Sequence, residues 1–444
     1  MATAERIFID HKNTGLLGKK IRQTEEAAER VTELLQKDLE THHVYFNDDG
    51  FHNHIVHHLL SLYGTGANAS QLQKGYDDNA GYQRPVQPTH QRVIEDLQTW
   101  DHASEYLGKG QYYPDFLAFF QREISSKGWE AVISSYLLAG TEAADDLLVR
   151  LHGSLLHPLI QLLYGMEWGQ PAIVAEALAQ TCVHDAVFKG DLFAAERNAE
   201  EEYGVVGEKK RAPSIASLLE EAHGDQELKA RVDSDSYRDW AVKGVPEALL
   251  RIISKVKVVP EEVEERTVEM FNAAVFVATC ATFHPPKLNK FDFFLIHEVN
   301  AAPIYLTINS QPWIPIETKA RLLEWKIRLD ILQYAVRGVP DLSLTAIKTY
   351  EPKNPATALL ADILSNFHRM EEDGHAVKLA RAAAICQDVS RQYEDREWTI
   401  LKGDDTWTRI HHLILDSVKA PGAHWVRGAG LDEAWDDIPD RPKQ

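Results

Sequence analysis

The segment IRQTEEAAERVTELLQKDLETH, residues 21–42, sets its apolar side chains into a charged background. Val31, Leu34, Leu35 and Leu39 recur with the 3.6-residue period of an amphipathic helix, so they share one face. Patterns of this kind recur along most of the chain, whereas alternating strands joined by hairpin turns do not appear. The sequence therefore predicts an all-α protein: a single large helical fold of one or two lobes around a buried histidine-rich site.

The predicted helices cover most of the chain. Besides the first, we expect them at about residues 51–63, 88–107, 114–126, 128–182, 244–256, 260–282, 289–307, 316–336, 356–371, 374–397 and 405–419. Residues 69–87, rich in Gly, Asn, Asp, Gln and Pro, are typical of a loop. The polar region around 185–240 would separate two lobes. We assign residues 1–420 to one helical domain and residues 421–444 to a polar C-terminal tail.

The composition excludes several classes of protein. The 444 residues carry 47 basic and 67 acidic side chains, a net charge of −20, which argues against a general nucleic-acid binder. No apolar run of about 20 residues predicts a membrane span, and the N-terminus does not resemble a secretory signal. The cysteines are few and far apart, which favours a reducing, cytoplasmic location over a disulfide framework: Cys182, Cys280 and Cys386.

Common nucleotide and nucleophile motifs are absent. The chain has no P-loop and no G-x-S-x-G. GTGANA, residues 64–69, matches the letters of a dinucleotide fingerprint, but a histidine-rich amphipathic segment precedes it instead of a strand. We interpret these glycines as the end of a helix. The sequence therefore offers no credible flavin or dinucleotide site.

Histidine is the unusual residue, with 20 copies, and four fall in HNHIVHH, residues 52–58. On a helix, His54 and His58 would share a face, His57 would lie beside them, and His52 would point elsewhere. Buried imidazoles need partners for both nitrogens, and a metal ion is one such partner. A hydrogen-bonded structural cluster is the alternative.

A second cluster is LHGSLLHPLIQLLYG, residues 151–165. His152 and His157 are five positions apart and would not share a helix face, so we expect one ligand rather than two. His157 lies in the more apolar run and would be the buried one. Pro158 predicts a kink directly after it.

Two further candidates lie toward the C-terminus. His297 stands among large apolar residues in FDFFLIHEVN, residues 291–300, where a satisfied core histidine is the alternative. In DGHAVKLAR, His375 and Lys378 are three apart and would share a helix face. Lysine can ligate a metal only as a neutral amine or after carboxylation by CO₂, and either form requires burial. The alternative is a surface lysine.

Four buried histidines suit a divalent transition metal. With an anionic oxygen ligand and open positions, such a set favours non-haem iron and O₂ chemistry. No H-E-x-x-H is present, which argues against a zinc protease.

As an ordered set, five segments resemble the questin oxidase-like family over roughly residues 40–420. These are NHIVHHLLSLYGTGA, YPDFLAFFQREISSKGWEAV, LHGSLLHPLIQLLYGMEW, FDFFLIHEVNAAP and DGHAVKLARAAA. The family includes fungal enzymes that oxidatively open an anthraquinone ring in aromatic polyketide pathways, a reaction of Baeyer–Villiger type. The resemblance implies a mainly helical fold and a histidine-bound iron centre.

Carried over by motif, the resemblance implies five metal ligands: His54, His157, His297, His375 and carboxylated Lys378. It places His57 and His58 in the second shell or in the pocket. One position departs from the family pattern, because members commonly show HPLIH where this chain has Gln161. Any role of that second histidine in orienting substrate is therefore in doubt.

Three hypotheses follow. The first is an Fe(II)-dependent dioxygenase that uses O₂ to open a ring of an anthraquinone or anthrone. The second is an NADPH-dependent Baeyer–Villiger monooxygenase of the same substrate class. The third is a non-enzymatic helical scaffold. The sequence leaves the exact substrate, the metal and the oligomeric state open.

Overall fold

A computed structural model describes residues 1–204, 211–354 and 359–442 of the protein. The chain forms two compact units, one of residues 1–187 and 364–381, the other of residues 188–363 and 382–444. In the described part, two two-residue strands are the only paired strands. The predicted all-α fold class is confirmed.

The first unit contains nine complete helices within its described residues. They are α1 (Glu25–Thr41), α2 (Ile55–Gly64), α3 (Ala69–Ala80), α4 (Gln91–Asp96), α5 (Tyr113–Lys127), α6 (Trp129–Tyr136), α7 (Glu142–Leu151), α8 (His157–Glu167) and α9 (Pro171–Val183). Helix α9 is mostly apolar and is buried almost throughout, so it lies in the core of this unit. Helices α5 and α8 both pack against it.

The second unit holds helices α10 to α19 and α22. They are α10 (Lys189–Tyr203), α11 (Ile215–Gly224), α12 (Gln226–Ala230), α13 (Ser236–Lys243), α14 (Glu247–Ile253), α15 (Val263–Cys280), α16 (Leu295–Ala301), α17 (Pro303–Asn309), α18 (Ile316–Val336), α19 (Leu344–Lys348) and α22 (Asp404–Lys419). The chain passes between the units within α20 (Leu360–Ser365) and α21 (His375–Ser390). In the second unit, α15 and α18 pack against each other and are mostly buried.

Helix α3 corrects the prediction of a loop over residues 69–87. The Asn68 side chain accepts from the backbone N–H of Gln71, and the Gln71 side chain accepts from the backbone of Asn68. This capping box starts a helix that buries Leu72 and Tyr76. The local cap and two apolar anchors outweigh the polar, glycine-containing composition.

The predicted helix over 289–307 is divided. The short strand β1 (Phe291–Asp292) comes first, and α16 and α17 follow as separate helices with Pro303 at the start of the second. Proline is accepted in a first helical turn but not in a helix interior, which explains the division. The expected helix end at Gly64 and the helix over residues 316–336 are confirmed.

Residues 421–442 are folded into the second unit. Strand β2 (Trp425–Val426) pairs in parallel with β1, and Trp435 is fully buried. The carboxylate of Asp292 accepts from the backbone N–H groups of Gly428 and Ala429 at 2.7 and 2.9 Å. A buried carboxylate and a buried indole thus hold this polar segment in place. Among the described helices, none has both the length and the apolar character needed to cross a membrane.

Candidate metal centre

Three of the predicted ligands meet at the starts of three helices in the first unit. His54 caps α2, His157 begins α8 and His375 begins α21. One ring nitrogen from each lies within 4.8 Å of those of the other two. All three residues are buried, with exposed fractions of 8%, 5% and 2%. The structure thus brings together three of the four predicted histidines.

A strained turn places His157. Ser154, Leu155 and Leu156 have φ angles of 44°, 55° and 61°, in the left-handed region that non-glycine residues seldom adopt. This turn directs the Ser154 carbonyl to the Nδ1–H of His157, which donates to it at 2.6 Å. The chain is kinked at Leu155, before His157 rather than after it, and Pro158 lies in the first turn of α8, where proline is accepted.

Asp373 orients the other two histidines. The Nδ1–H of His375 donates to Oδ1 of Asp373 at 2.6 Å, and Nδ1 of His54 lies 3.5 Å from Oδ2 of the same carboxylate. Burial, followed by the charge of Lys378, lowers the pKa of His54 to about 3. His54 is therefore a neutral imidazole.

The Nδ1–H bonds of His157 and His375 leave Nε2 as the unprotonated nitrogen of these two rings in the neutral form. Nε2 of His54 and Nε2 of His157 lie 2.9 Å apart, and their rings are nearly parallel, at 6°. This is a hydrogen-bond distance, at which one imidazole donates to the other, and a bound cation would take the place of that proton. Two nitrogens at about 2.1 Å from one ion, at a right angle, would be about 3 Å apart. The donor set therefore fits a transition metal ion.

Lys378 lies one turn after His375 and is 1% exposed. Its Nζ has no hydrogen-bond partner among the described residues. Burial lowers the pKa of Lys378 to about 8, against the opposing effect of the Asp373 and Glu372 carboxylates. A buried, unpaired amine with a lowered pKa is a suitable substrate for carboxylation. Its role as a ligand stays a prediction.

His297 belongs to the second unit and is fully buried. Its Nδ1–H donates to the carbonyl of Phe293 at 2.6 Å, so Nε2 is again the unprotonated nitrogen. This is the protonation state required of a ligand. Its membership of the same centre stays a prediction.

His57 and His58, which the resemblance places around the ligands or in the pocket, have different surroundings. His57 is 1% exposed, and neither ring nitrogen has a hydrogen-bond partner among the described residues. Burial, followed by the charge of Lys378, holds its pKa well below the usual value. Nε2 of His58 lies 3.8 Å from a Glu372 carboxylate oxygen. Gly374, with φ of 95°, packs on His58 so closely that a Cβ would come within 2.8 Å of its Cβ.

His52 was expected to point elsewhere, and the structure corrects this. The chain before α2 is extended, so His52 does not follow a helical rotation; its ring stacks on His157 at 4.0 Å and 3°. Its Nε2 is 3.0 Å from Nε2 of His184, whose Nδ1 is 3.2 Å from the hydroxyl of Tyr45. No sequence spacing links His184 to the cluster. The carboxylates of residues 372 and 373 could have been noticed from their position directly before the G-H-x-x-K motif.

The buried neutral histidines make the fold acid-sensitive. Burial lowers the pKa of both His43 and His368 to about 4 from the ordinary 6.5. Below pH 6.5 the unfolded chain therefore takes up protons that the folded chain does not, and stability falls with pH toward 4. The measurement is the free energy of unfolding by urea, with chelator present, at pH 6.5 and at pH 5. Between these two values, the free energy of unfolding of His368→Gln should fall by about 1–2 kcal/mol less than that of wild type. Equal losses would contradict this.

The fold and the site define a helical protein with a buried three-histidine cluster, and one family model and three relatives agree in placing it. The sequence model of the questin oxidase-like family matches residues 51–383. A questin oxidase of Aspergillus fumigatus is 32% identical over 451 residues, covering 99% of this chain and 100% of that protein. A Baeyer–Villiger oxidase of Pestalotiopsis microspora is 33% identical over 434 residues, 94% of each chain. A Baeyer–Villiger monooxygenase of Cryptosporiopsis is 33% identical over 445 residues, covering 97% of this chain and 98% of that one.

The chain belongs to the questin oxidase-like family. It is an oxidoreductase of the oxygenase type.

Proposed function

We propose that this protein is a non-haem Fe(II)-dependent dioxygenase that opens a ring of a polycyclic aromatic polyketide, of the anthraquinone or anthrone type, with O₂ as co-substrate. The observation that carries the metal part is the convergence of one ring nitrogen from each of three buried histidines. The substrate class is supported by the relatives, which are named questin oxidase and Baeyer–Villiger oxidase.

The residues of the cluster would have separate roles in metal binding. His54, His157 and His375 would hold the metal, with His297 and carboxylated Lys378 as further ligands. The chemistry that ferrous iron supplies at such a site is activation of O₂. Asp373 would orient two of the imidazoles.

The charge around the cluster supports a cation with an anionic ligand. Neutral imidazoles leave the charge of a divalent ion uncompensated in a buried site, which is unfavourable. A carboxylated Lys378 would remove one positive charge, whereas its ammonium form would add one. The nearby carboxylate of Asp373 contributes in the same direction.

The NADPH-dependent monooxygenase is the second candidate because one relative is named a Baeyer–Villiger monooxygenase. Within the described residues, the one parallel strand pair is two residues long and does not form the sheet of a dinucleotide-binding fold. We therefore rank this candidate second. A cytoplasmic location fits the three buried cysteines, none of which is paired.

Elemental analysis of the purified protein and anaerobic reconstitution test the proposal. We expect about one iron per chain, loss of ring-opening activity after chelation, and recovery with Fe(II) but not Zn(II) under O₂. Activity that needs NADPH and survives chelation, together with visible flavin absorption, would favour the monooxygenase. Absence of stoichiometric metal and of activity would leave the helical scaffold.

A further inference from the structure

A group of unpaired polar atoms lies beside the histidine cluster. Within the described part of the chain, both ring nitrogens of His57 and Oε1 of Gln161 are buried without a hydrogen-bond partner. Their residues are 1% and 2% exposed. Buried polar groups are nearly always hydrogen-bonded, so unpaired ones that lie together indicate a missing partner. The two side chains can therefore still donate and accept hydrogen bonds.

The Gln161 amide is held in one orientation. Its Nε2 donates to Oε2 of Glu176 at 3.0 Å, which leaves Oε1 as the acceptor. The side chains of Gln161 and His57 lie within reach of each other, close enough for Gln161 to raise the pKa of His57, but their geometry falls outside a normal hydrogen bond. A small polar group beside the pair could bond to both.

The helix geometry places this pair next to the candidate metal ligands. His157, Gln161 and Tyr164 are at positions i, i+4 and i+7 of α8, so they share one face. The His57 ring stacks against Tyr164 at 5.7 Å and lies 5.8 Å from the His54 ring. Any group bound by His57 and Gln161 would therefore be adjacent to the metal.

The chemistry of the two side chains selects the group. Gln161 Oε1 can only accept, and a neutral imidazole has one N–H donor and one acceptor. A hydroxyl matches this pair, because its proton can go to Gln161 while its oxygen accepts from His57. We propose that His57 and Gln161 bind a phenolic hydroxyl of the aromatic substrate and so favour free hydroxyl over O-methylated rings. This inference rests on the proposed function for the identity of the substrate class.

Equilibrium binding measures the preference without turnover. Iron-loaded protein is titrated anaerobically with a hydroxyanthraquinone and with its O-methyl ether, and the ratio of the two Kd values is recorded. We expect wild type to bind the hydroxyl form about tenfold more tightly, because the O-methyl ether leaves a buried polar pair unpaired. Gln161→Met and His57→Phe, which keep the side-chain shape, should each bring the ratio to about one.

The ratio cancels any loss of binding that affects both probes equally. Gln180→Met is the matched control, because Gln180 is also a buried glutamine with an unpaired Oε1 but lies on α9. It should leave the ratio unchanged. The inference is overturned if wild type binds both probes equally, as it would with only a water beside the pair, or if the control changes the ratio as much as Gln161→Met.

Iron content, measured on the same samples, distinguishes failure of this inference from failure of the proposed function. If wild type holds iron but shows no preference for the hydroxyl probe, only the role of His57 and Gln161 fails. If wild type holds no iron and binds neither probe, the proposed function fails and this inference fails with it.

Discussion

Replacing His157 by alanine is expected to lower the metal affinity of the protein about 100-fold or more, with ring-opening activity falling in parallel. His157 is held by its own Nδ1–H bond to Ser154, and its Nε2 lies 2.9 Å from Nε2 of His54, so alanine removes one nitrogen ligand from the cluster. Changes in the outer partners of ligating histidines typically cost 10–100-fold, and loss of a ligand should exceed that. His54→Ala and His375→Ala should behave alike.

Metal content by elemental analysis and helical content by far-UV circular dichroism check this result. His368→Ala is the matched control, because His368 is buried in the same unit but bonds to Thr65 instead of the cluster. It should retain metal. The cluster is not a metal centre if His157→Ala remains helical and binds metal as wild type does.

Lys378→Arg is expected to abolish metal binding, whereas Lys378→Glu should retain part of it. Arginine stays cationic and cannot be carboxylated, so it would place a positive charge beside the ion. Glutamate supplies a carboxylate but has a shorter reach than a carboxylated lysine. Reconstitution of wild type should also depend on bicarbonate, and the variants should not.

Intact-protein mass and metal content, with and without bicarbonate, measure these effects. Lys290→Arg is the matched control: burial lowers the pKa of Lys290 to about 8 as well, but its ammonium donates to the carbonyls of Ser417 and Ala420. Arginine can make the same donations, so metal binding should not change. A metal-loaded, active protein with an unmodified Lys378 would contradict the carboxylation.

The helical class could be predicted from sequence because helix periodicity is a local property. The prediction for residues 316–336 matches the helix exactly in extent. The prediction of helices failed where local signals conflict. At α3, a capping box outweighed a loop-like composition. In residues 289–307, Pro303 starts a second helix. The burial of histidines in apolar runs could be predicted for the same local reason.

Most of the helices, their apolar faces and the family resemblance follow from local sequence patterns, and together they identified the ligand candidates. Which of these candidates meet depends on the packing of distant segments. His54 and His157 are 103 positions apart, and only the packing of α2 against α8 brings their Nε2 atoms together. The tertiary structure also placed His52 and His184 in the cluster and gave His54 and His375 a shared carboxylate in Asp373. Periodicity extends over a few turns of one helix, whereas contacts between distant segments depend on how whole helices pack.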